Sequence, residues 1–421
     1  MDFDIRDFGA IPNSEELNTI AIQKAIDECA TSGGGRVLVS GGRYLTGTIV
    51  LKNNVNLHIA ADAVLLGSTD CSDFPERLDI QHVNSERLPR NRNACMIYAE
   101  CCKNISITGN GTIDCNGHNF VVKKKEVRPG WKYDRIDAPT PPRVVFFTGC
   151  QNVIVEDVTM TNQPAGWSYW IHDCDYITFD KVKIIADVDY PNNDGIHINS
   201  SRNVTISNSN ITCGDDCLVV RANNSSLAEC KVCEKVSVTN CNLTSYSAGI
   251  RVGWINDGTI RNCTFSNLVM TDCSVGVSIL IPTNGLSDEG REATLIENMN
   301  FDNIIMDRGN SNAIVVYIHE GERNQVEAIR NLYFNNIHAR SVEMPYISGR
   351  QNNLLRNIYF NNCSFERCGV HNPLHGPDGV WIPDAFYSGC MQVNYTENLV
   401  LNNTTFHMAT PVAREHVKIP E

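Results

Sequence analysis

Nine short segments of this chain are variations on one unit, and that repetition limits the fold more than any single residue does. The copies read CCKNISITGNGTID from Cys101, GCQNVIVEDVTM from Gly149, DCDYITFDKVKI from Asp173, SSRNVTISNSNI from Ser200 and VCEKVSVTNCNL from Val232. They continue as GTIRNCTFSNL from Gly258, AIRNLYFNNIHA from Ala328, LLRNIYFNNCSF from Leu354 and YTENLVLNNTTF from Tyr395. Each unit is a small, Cys or Asn position, then alternating β-branched or aromatic residues, then Asn or Asp, then a second short strand. Clear copies begin about 24 to 32 residues apart, a spacing that signals a solenoid or a propeller. A propeller blade needs four strands and about 40 residues, so a coil of three short strands and three turns fits better. The expectation is an all-β parallel β-helix, one domain over residues 1–421, in which strands pair along the axis and inward residues form ladders. Inward Val, Ile and Leu make the core, while Asn and Cys at equivalent turns stack with their own kind and satisfy backbone groups.

Two segments depart from the repeat. NTIAIQKAIDECA from Asn18 has apolar residues at helical spacing and is followed by the glycines 33–35, so it predicts a helix. Since the first coil of a solenoid exposes strand edges and an apolar cross-section, this helix is expected to cap the N-terminal end, about residues 1–50. The stretch 119–143, NFVVKKKEVRPGWKYDRIDAPTPPR, reads as a long excursion and a wall of a binding cleft. An irregular loop at 367–388 is expected to help close one end of that cleft.

The formal charge of −13 argues against a nucleic-acid partner, which needs a basic face, but leaves room for an anionic substrate in a local basic pocket. No apolar run approaches the roughly 18 residues of a membrane span, and MDFDIRDFGA does not read as a signal peptide. A cytoplasmic location is therefore expected, or a secreted or periplasmic one if the chain begins at a processed terminus. The eighteen cysteines lie at irregular separations, and many recur at one repeat position, which predicts buried free thiols and not a disulfide framework. Cys230 and Cys233 have CxxC spacing with Cys213 and Cys217 upstream, but no His stands at zinc-ligand spacing, and no metal or other cofactor is expected.

Two acidic clusters lie about one coil apart: Asp194 in NNDGIHINS, and Asp215 with Asp216 in GDDCLVVRA. One repeat unit separates them, so stacking places them on neighbouring coils, roughly 5 Å apart. Carboxylates held this close need hydrogen bonds, a cation or a shared proton, and one is pushed towards protonation. Glycoside hydrolysis uses such a set, one carboxyl donating to the leaving oxygen and another acting opposite it. Calcium binding is the rival use, with β-elimination of a uronide as its chemistry.

NNDG at 192–195, GDDC at 214–217 and AGIRVG at 248–253 resemble the motifs of glycoside hydrolase family 28, the polygalacturonases and rhamnogalacturonases. DFDIRDFGA, the helical segment with the strands after it, and ITGNGTIDCNG are similar to the opening coils of the family's bacterial branch, and the likeness extends over at least residues 2–281. The resemblance implies a right-handed parallel β-helix that hydrolyses pectic bonds with inversion and without metal. It implies Asp215 as general acid, Asp194 and Asp216 as the groups that hold and activate water, and Asn192 as a positioning residue. Gly249 is implied in substrate binding through the third motif.

The chain departs from the family pattern at two places. The histidine of the third motif is replaced by Ala248, and the Arg-Ile-Lys motif that binds a galacturonate carboxylate is replaced by Ser278, Ile279 and Leu280. Arg221 and Arg251, about one coil apart, are the expected substitutes, and Trp254 is the preferred sugar platform among Trp131, Tyr133, Trp167, Tyr169, Trp170 and Tyr317. His172 and His197 lie near the motifs without an assigned role. An oligo- or polysaccharide is the expected partner, with removal of terminal residues as the expected mode. The alternatives are a neutral-sugar glycosidase, a calcium-dependent lyase, or a glycan-binding solenoid that leaves its ligand intact.

Overall fold

The computed structural model describes residues 1–125, 131–137, 140–141, 143–283, 290–368 and 390–408. Most of the loop expected at 367–388 lies outside these residues. The architecture is a right-handed parallel β-helix with two parallel sheets, one of 22 strands and one of 11 among the described residues. A typical coil places one strand in the smaller sheet and two in the larger: Trp167–His172, then Asp175–Asp180 and Lys183–Ile185. In later coils the two merge into single long strands such as Thr259–Thr271 and Thr294–Asn312.

The repeat chemistry explains why the coils stack. Phe265, Phe301, Phe334 and Phe360 form one inward ladder with ring centroids 5.1, 5.0 and 4.8 Å apart, within the range for stacked aromatics. At one turn, Asn298, Asn331, Asn357 and Asn398 each donate from Nδ2 to the Asn Oδ1 of the preceding coil, at 2.8–3.1 Å. All four are left-handed, with φ of 56–58°, a conformation Asn tolerates because its short amide bonds locally. Asn331→Ala is expected to cost about 2 kcal/mol, since it breaks two amide bonds and forces Ala into that region. Asn331→Gly, which relieves only the backbone, should fall between Ala and wild type in urea midpoint. Equal losses for the two would show that the backbone conformation contributes nothing.

All eighteen cysteines are free, and most are buried. Cys233 packs in the core while Cys230 is exposed. Helix α1, Thr19–Thr31, covers the first coils through Ala21, Ile22, Ala25, Ile26 and Cys29. It ends where expected: Gly34 has φ 114°, and a Cβ there would meet the Asn54 carbonyl at 2.6 Å. The remaining described helical segments are short 3-10 turns, and none of the described helices is long and apolar enough to cross a membrane.

The excursion from 119 is partly an antiparallel ribbon, Val121–Lys123 against Tyr133–Arg135. Its second strand and the residues just before it reach back to the motif turns: Trp131 Nε1 donates to the Gly214 carbonyl at 2.6 Å, and Tyr133 packs edge-on against Tyr190 at 4.9 Å. Residues 83–95 form a second cover over the smaller sheet, where Val83, Leu88 and Cys95 pack on the outward row Tyr98, Phe146 and Trp170. The fully buried Arg143 pins this cover by donating to the Pro89 and Arg92 carbonyls while lying 4.0 Å above the Trp170 ring.

Candidate active site

The turns that lead into two neighbouring strands of the smaller sheet, Ile196–Asn199 and Leu218–Arg221, carry the aspartates. Ser168 N donates to the Asp194 carbonyl, Gly195 N to the Asp216 carbonyl and Cys217 N to the Ala248 carbonyl, each at 2.9 Å. Successive turns are thus locked at one angular position. Glycine is required at two of them, because a Cβ at Gly195 would meet the Cys217 carbonyl at 2.3 Å and one at Gly214 the Tyr190 carbonyl at 2.3 Å.

The consequence is a cluster in which Asp194, Asp215 and Asp216, all buried, bring one carboxylate oxygen each within 4.8 Å of the others. Their partners differ. Asp216 accepts from Ser247 Oγ at 2.8 Å, Ala248 N at 3.0 Å, Arg251 Nε at 2.8 Å and Arg251 Nη2 at 3.2 Å. That bidentate arrangement, with both oxygens accepting, has the geometry of a charge-assisted guanidinium–carboxylate pair. Asp215 accepts from the backbone and side-chain nitrogens of Asn192 at 3.2 and 3.1 Å. Asp194 is pushed up to about 8, first by burial and then by the charge on Asp216. Its Oδ1 has no protein hydrogen-bond partner among the described residues, and its Oδ2 lies 3.9 Å from His197 Nδ1, itself without one. Burial and the nearby arginines hold His197 well below the usual imidazole range, so it is neutral.

A raised carboxyl has a definite thermodynamic sign. Below about pH 4 Asp194 is protonated whether the chain is folded or not; between pH 4 and 8 folding must retain a proton that the unfolded chain has lost. Wild-type stability therefore drops as pH rises through that window. Asp194→Asn, which stays neutral, should gain relative to wild type by on the order of a few kcal/mol at pH 8 and little at pH 4. A difference in melting temperature independent of pH would contradict the assignment.

Other residues singled out from the sequence occupy definite places. Arg221 forms a buried ion pair with Asp257, at 2.9 and 2.7 Å, and lies over Trp254. Arg251 is likewise bound to Asp216, with its guanidinium 5.2 Å from the Trp254 ring. Both arginines expected to replace the motif cations are thus engaged with carboxylates of this chain. Trp254 packs against an outward patch of Ala248, Leu280, Val315, Tyr317 and Tyr346. Gly249 has a packing role, since a Cβ there would meet Met270 Sδ at 2.9 Å. Tyr169 belongs to the core. His172 is enclosed, with Asn199 at 2.6 Å on Nδ1 and Ser226 at 3.0 Å on Nε2, and burial pushes it down to about 3.

Two residues next to the site were not anticipated. Ser247 bonds Asp216, and Arg135 donates to Asn192 Oδ1 at 2.5 Å, behind the amide that holds Asp215. Arg135 sits in a segment recognisable only as a break in the repeat, although its position beside Trp131 and Tyr133 in the expected cleft wall was a usable signal.

Metal binding is a poor fit to this cluster. Arg251 places a guanidinium on both oxygens of Asp216, and Asp194 holds a proton near neutral pH. A hard dication would have to displace both.

Comparison with known proteins agrees with the motifs. The model of "Glycosyl hydrolases family 28" matches residues 53–371. A probable polygalacturonase of Vitis vinifera is 28% identical over 281 residues, covering 65% of this chain and 55% of that protein. An exo-poly-alpha-D-galacturonosidase of Dickeya chrysanthemi is 28% identical over 251 residues, covering 50% of this chain and 40% of that protein. The chain thus matches about half the length of these relatives. In fold it is similar to the family 28 exopolygalacturonase of Yersinia enterocolitica, with a TM-score of 0.67 at 20% identity, covering 95% of this chain and 78% of that one. With the family model spanning most of its length, this chain belongs to glycosyl hydrolase family 28.

Proposed function

We propose that this single solenoid domain is an inverting glycoside hydrolase that removes terminal residues from pectic galacturonide chains. The observation that carries the reading is the division of labour within the carboxylate cluster. Asp215, held through one oxygen by Asn192, donates its proton to the glycosidic oxygen as the bond to the anomeric carbon breaks. Asp194, pushed up to about 8, acts in its ionised form as the base that accepts the proton of the water attacking the opposite face, while Asp216 stays bonded to Arg251. Asp194 Oδ1, buried and without a protein partner, is the natural acceptor for that water. Arg251 and Asn192 position the carboxylates, and Trp254 offers an aromatic face beside them. Terminal action is supported by the name of the Dickeya relative and by the ribbon at Tyr133–Arg135, whose strand packs on the motif turns.

One observation favours a second route. Inverting glycosidases usually separate their carboxyl groups by about 6.5–9.5 Å, whereas retaining ones hold them about 5–5.5 Å apart, and these three approach to within 4.8 Å. Retention, however, needs a carboxylate with an oxygen free to bond carbon, and both oxygens of Asp216 are already held by Ser247, Ala248 and Arg251.

Incubation with oligogalacturonides, rhamnogalacturonan fragments and neutral α-glycosides, with and without chelator, tests the reading. Saturated monosaccharide released at undiminished rate in chelator is expected. Early accumulation of mid-length oligomers would exclude terminal action, and an unsaturated, ultraviolet-absorbing product would replace hydrolysis by elimination.

A further inference from the structure

The excursion ribbon grips two turns at once, the one at residues 187–193 and the one that carries Asp215. Lys132 N donates to the Asp189 carbonyl at 3.1 Å and Lys132 Nζ pairs with the Asp189 carboxylate at 2.7 Å, while Trp131 Nε1 donates to the Gly214 carbonyl. The turns are also joined to each other, since Gly214 N donates to Asn193 Oδ1 at 2.7 Å. Arg135 ends the second strand of the ribbon and is held there by donating from Nε to the Ala165 carbonyl at 2.8 Å. Its Nη2 then reaches Asn192 Oδ1 at 2.5 Å.

That last contact decides which way the Asn192 amide faces. An amide presents an acceptor on one side and donors on the other, so with Oδ1 on a guanidinium, Nδ2 is turned to Asp215. Asn192 is left-handed, φ 55°, and its backbone N–H meets the same carboxylate oxygen: N and Nδ2 lie 3.2 and 3.1 Å from Asp215 Oδ2. An oxygen met by two N–H donors is used as an acceptor, so the proton of the acid form belongs on Oδ1. Turned over, the amide would set Nδ2 against the guanidinium, donor facing donor, and its Oδ1 would take the acid proton in an internal hydrogen bond. Arg135 also stands within electrostatic reach of Asp194 and Asp215, which draw its guanidinium up while burial pushes it down.

We propose that Arg135 is a positioning residue for the general acid: acting through the Asn192 amide, it reserves Asp215 Oδ2 for N–H donors and makes Oδ1 the oxygen that delivers the proton. Oδ1 accepts from Asp216 N at 3.1 Å, a contact that a hydroxyl oxygen keeps while it donates elsewhere. The inference rests on the glycosidase reading above and deepens it by assigning the catalytic proton to one oxygen. It also gives the ribbon a part in proton delivery besides that of a cleft wall.

The test uses the full chain and two substrates, a galacturonosyl oligosaccharide and an aryl α-galacturonide with a nitrophenolate leaving group. Arg135→Met is expected to lower kcat on the oligosaccharide on the order of 10- to 100-fold, the cost of a misplaced catalytic group, with KM changed by less than about threefold. The loss on the aryl glycoside should be about tenfold smaller, because that leaving group departs without protonation. Arg135→Lys, which keeps a cationic donor, should recover part of the loss. Asn192→Gly removes the amide yet suits the left-handed backbone, and in that background Arg135→Met should add little further loss. Equal losses on the two substrates, or a full additional loss on top of Asn192→Gly, would make Arg135 structural or substrate-binding and overturn the inference. If wild type hydrolyses neither substrate, the glycosidase reading fails and carboxyl titration decides the positioning. The charged and titratable groups around Asp215 include Asp194, Asp216 with its Arg251, and Cys213, whose Sγ lies 3.0 Å from the Asp215 carbonyl, and all are kept in these variants. The carbon-13 carboxyl signal of Asp215, identified by its absence in Asp215→Asn, should titrate at higher pH in Arg135→Met than in wild type, because hydrogen bonds from Asn192 favour the ionised form. The rise should be smaller when the same substitution is made in Asn192→Gly. Equal rises would leave only the charge of Arg135 acting, and would overturn the positioning, as would no rise in either.

Discussion

Asp215→Asn is expected to lower kcat by on the order of 10³-fold while leaving the chain folded, because general acid catalysis contributes about 10²–10⁴. Asn keeps the size of the side chain and can still bond Asn192, but has no proton to give as the glycosidic oxygen departs. The loss should depend on the leaving group: an activated aryl glycoside, whose phenolate leaves without protonation, should be cleaved far better by the variant than a natural linkage. Measuring both substrates separates the acid from a residue that merely holds the turn. A uniform loss on both would place Asp215 outside the proton-donating role.

Arg251→Met has the largest expected effect on stability. Asp216 is buried, and Arg251 supplies two of its four hydrogen bonds together with its counter-charge. Removing one partner of such a pair leaves an uncompensated buried charge, at a cost of about 3–5 kcal/mol. The double variant Arg251→Met with Asp216→Asn should recover much of that loss, since it removes the charge as well. Denaturation midpoints of the two single variants and the double variant measure the coupling. Additive losses would show that the pair is not a unit.

How far the site was legible follows from where each residue stands relative to the repeat. Asp194, Asp215 and Asp216 lie at equivalent turns, so counting one repeat unit between them was enough to bring them together. The Asn ladder was legible for the same reason, because a residue that recurs at one turn has its own copy as neighbour. What the repeat could not tell was which side chains are already spent. Arg221 and Arg251 read as cations available to a uronate, yet Asp257 and Asp216 hold them. The Arg221–Asp257 pair joins residues on different coils, and the sequence does not give the pitch of the loop between them. Arg135 was hidden for a different reason: it leaves the repeat, and periodicity carries no information about where an excursion returns. Gly249 was read as a substrate contact, but tight packing against Met270 accounts for it.

The mechanism turns on which face of the anomeric carbon the water attacks. The most direct measurement follows the configuration of the newly formed reducing end by proton NMR in the first moments of hydrolysis of an α-linked galacturonosyl oligosaccharide, before mutarotation. Attack by a water held at the Asp194–Asp216 pair predicts that the β-anomer appears first and the α-anomer only later, at the rate of mutarotation. Initial release of the α-anomer would mean a covalent intermediate on one of the closely spaced carboxylates, and would contradict the assignment of that pair to activating water.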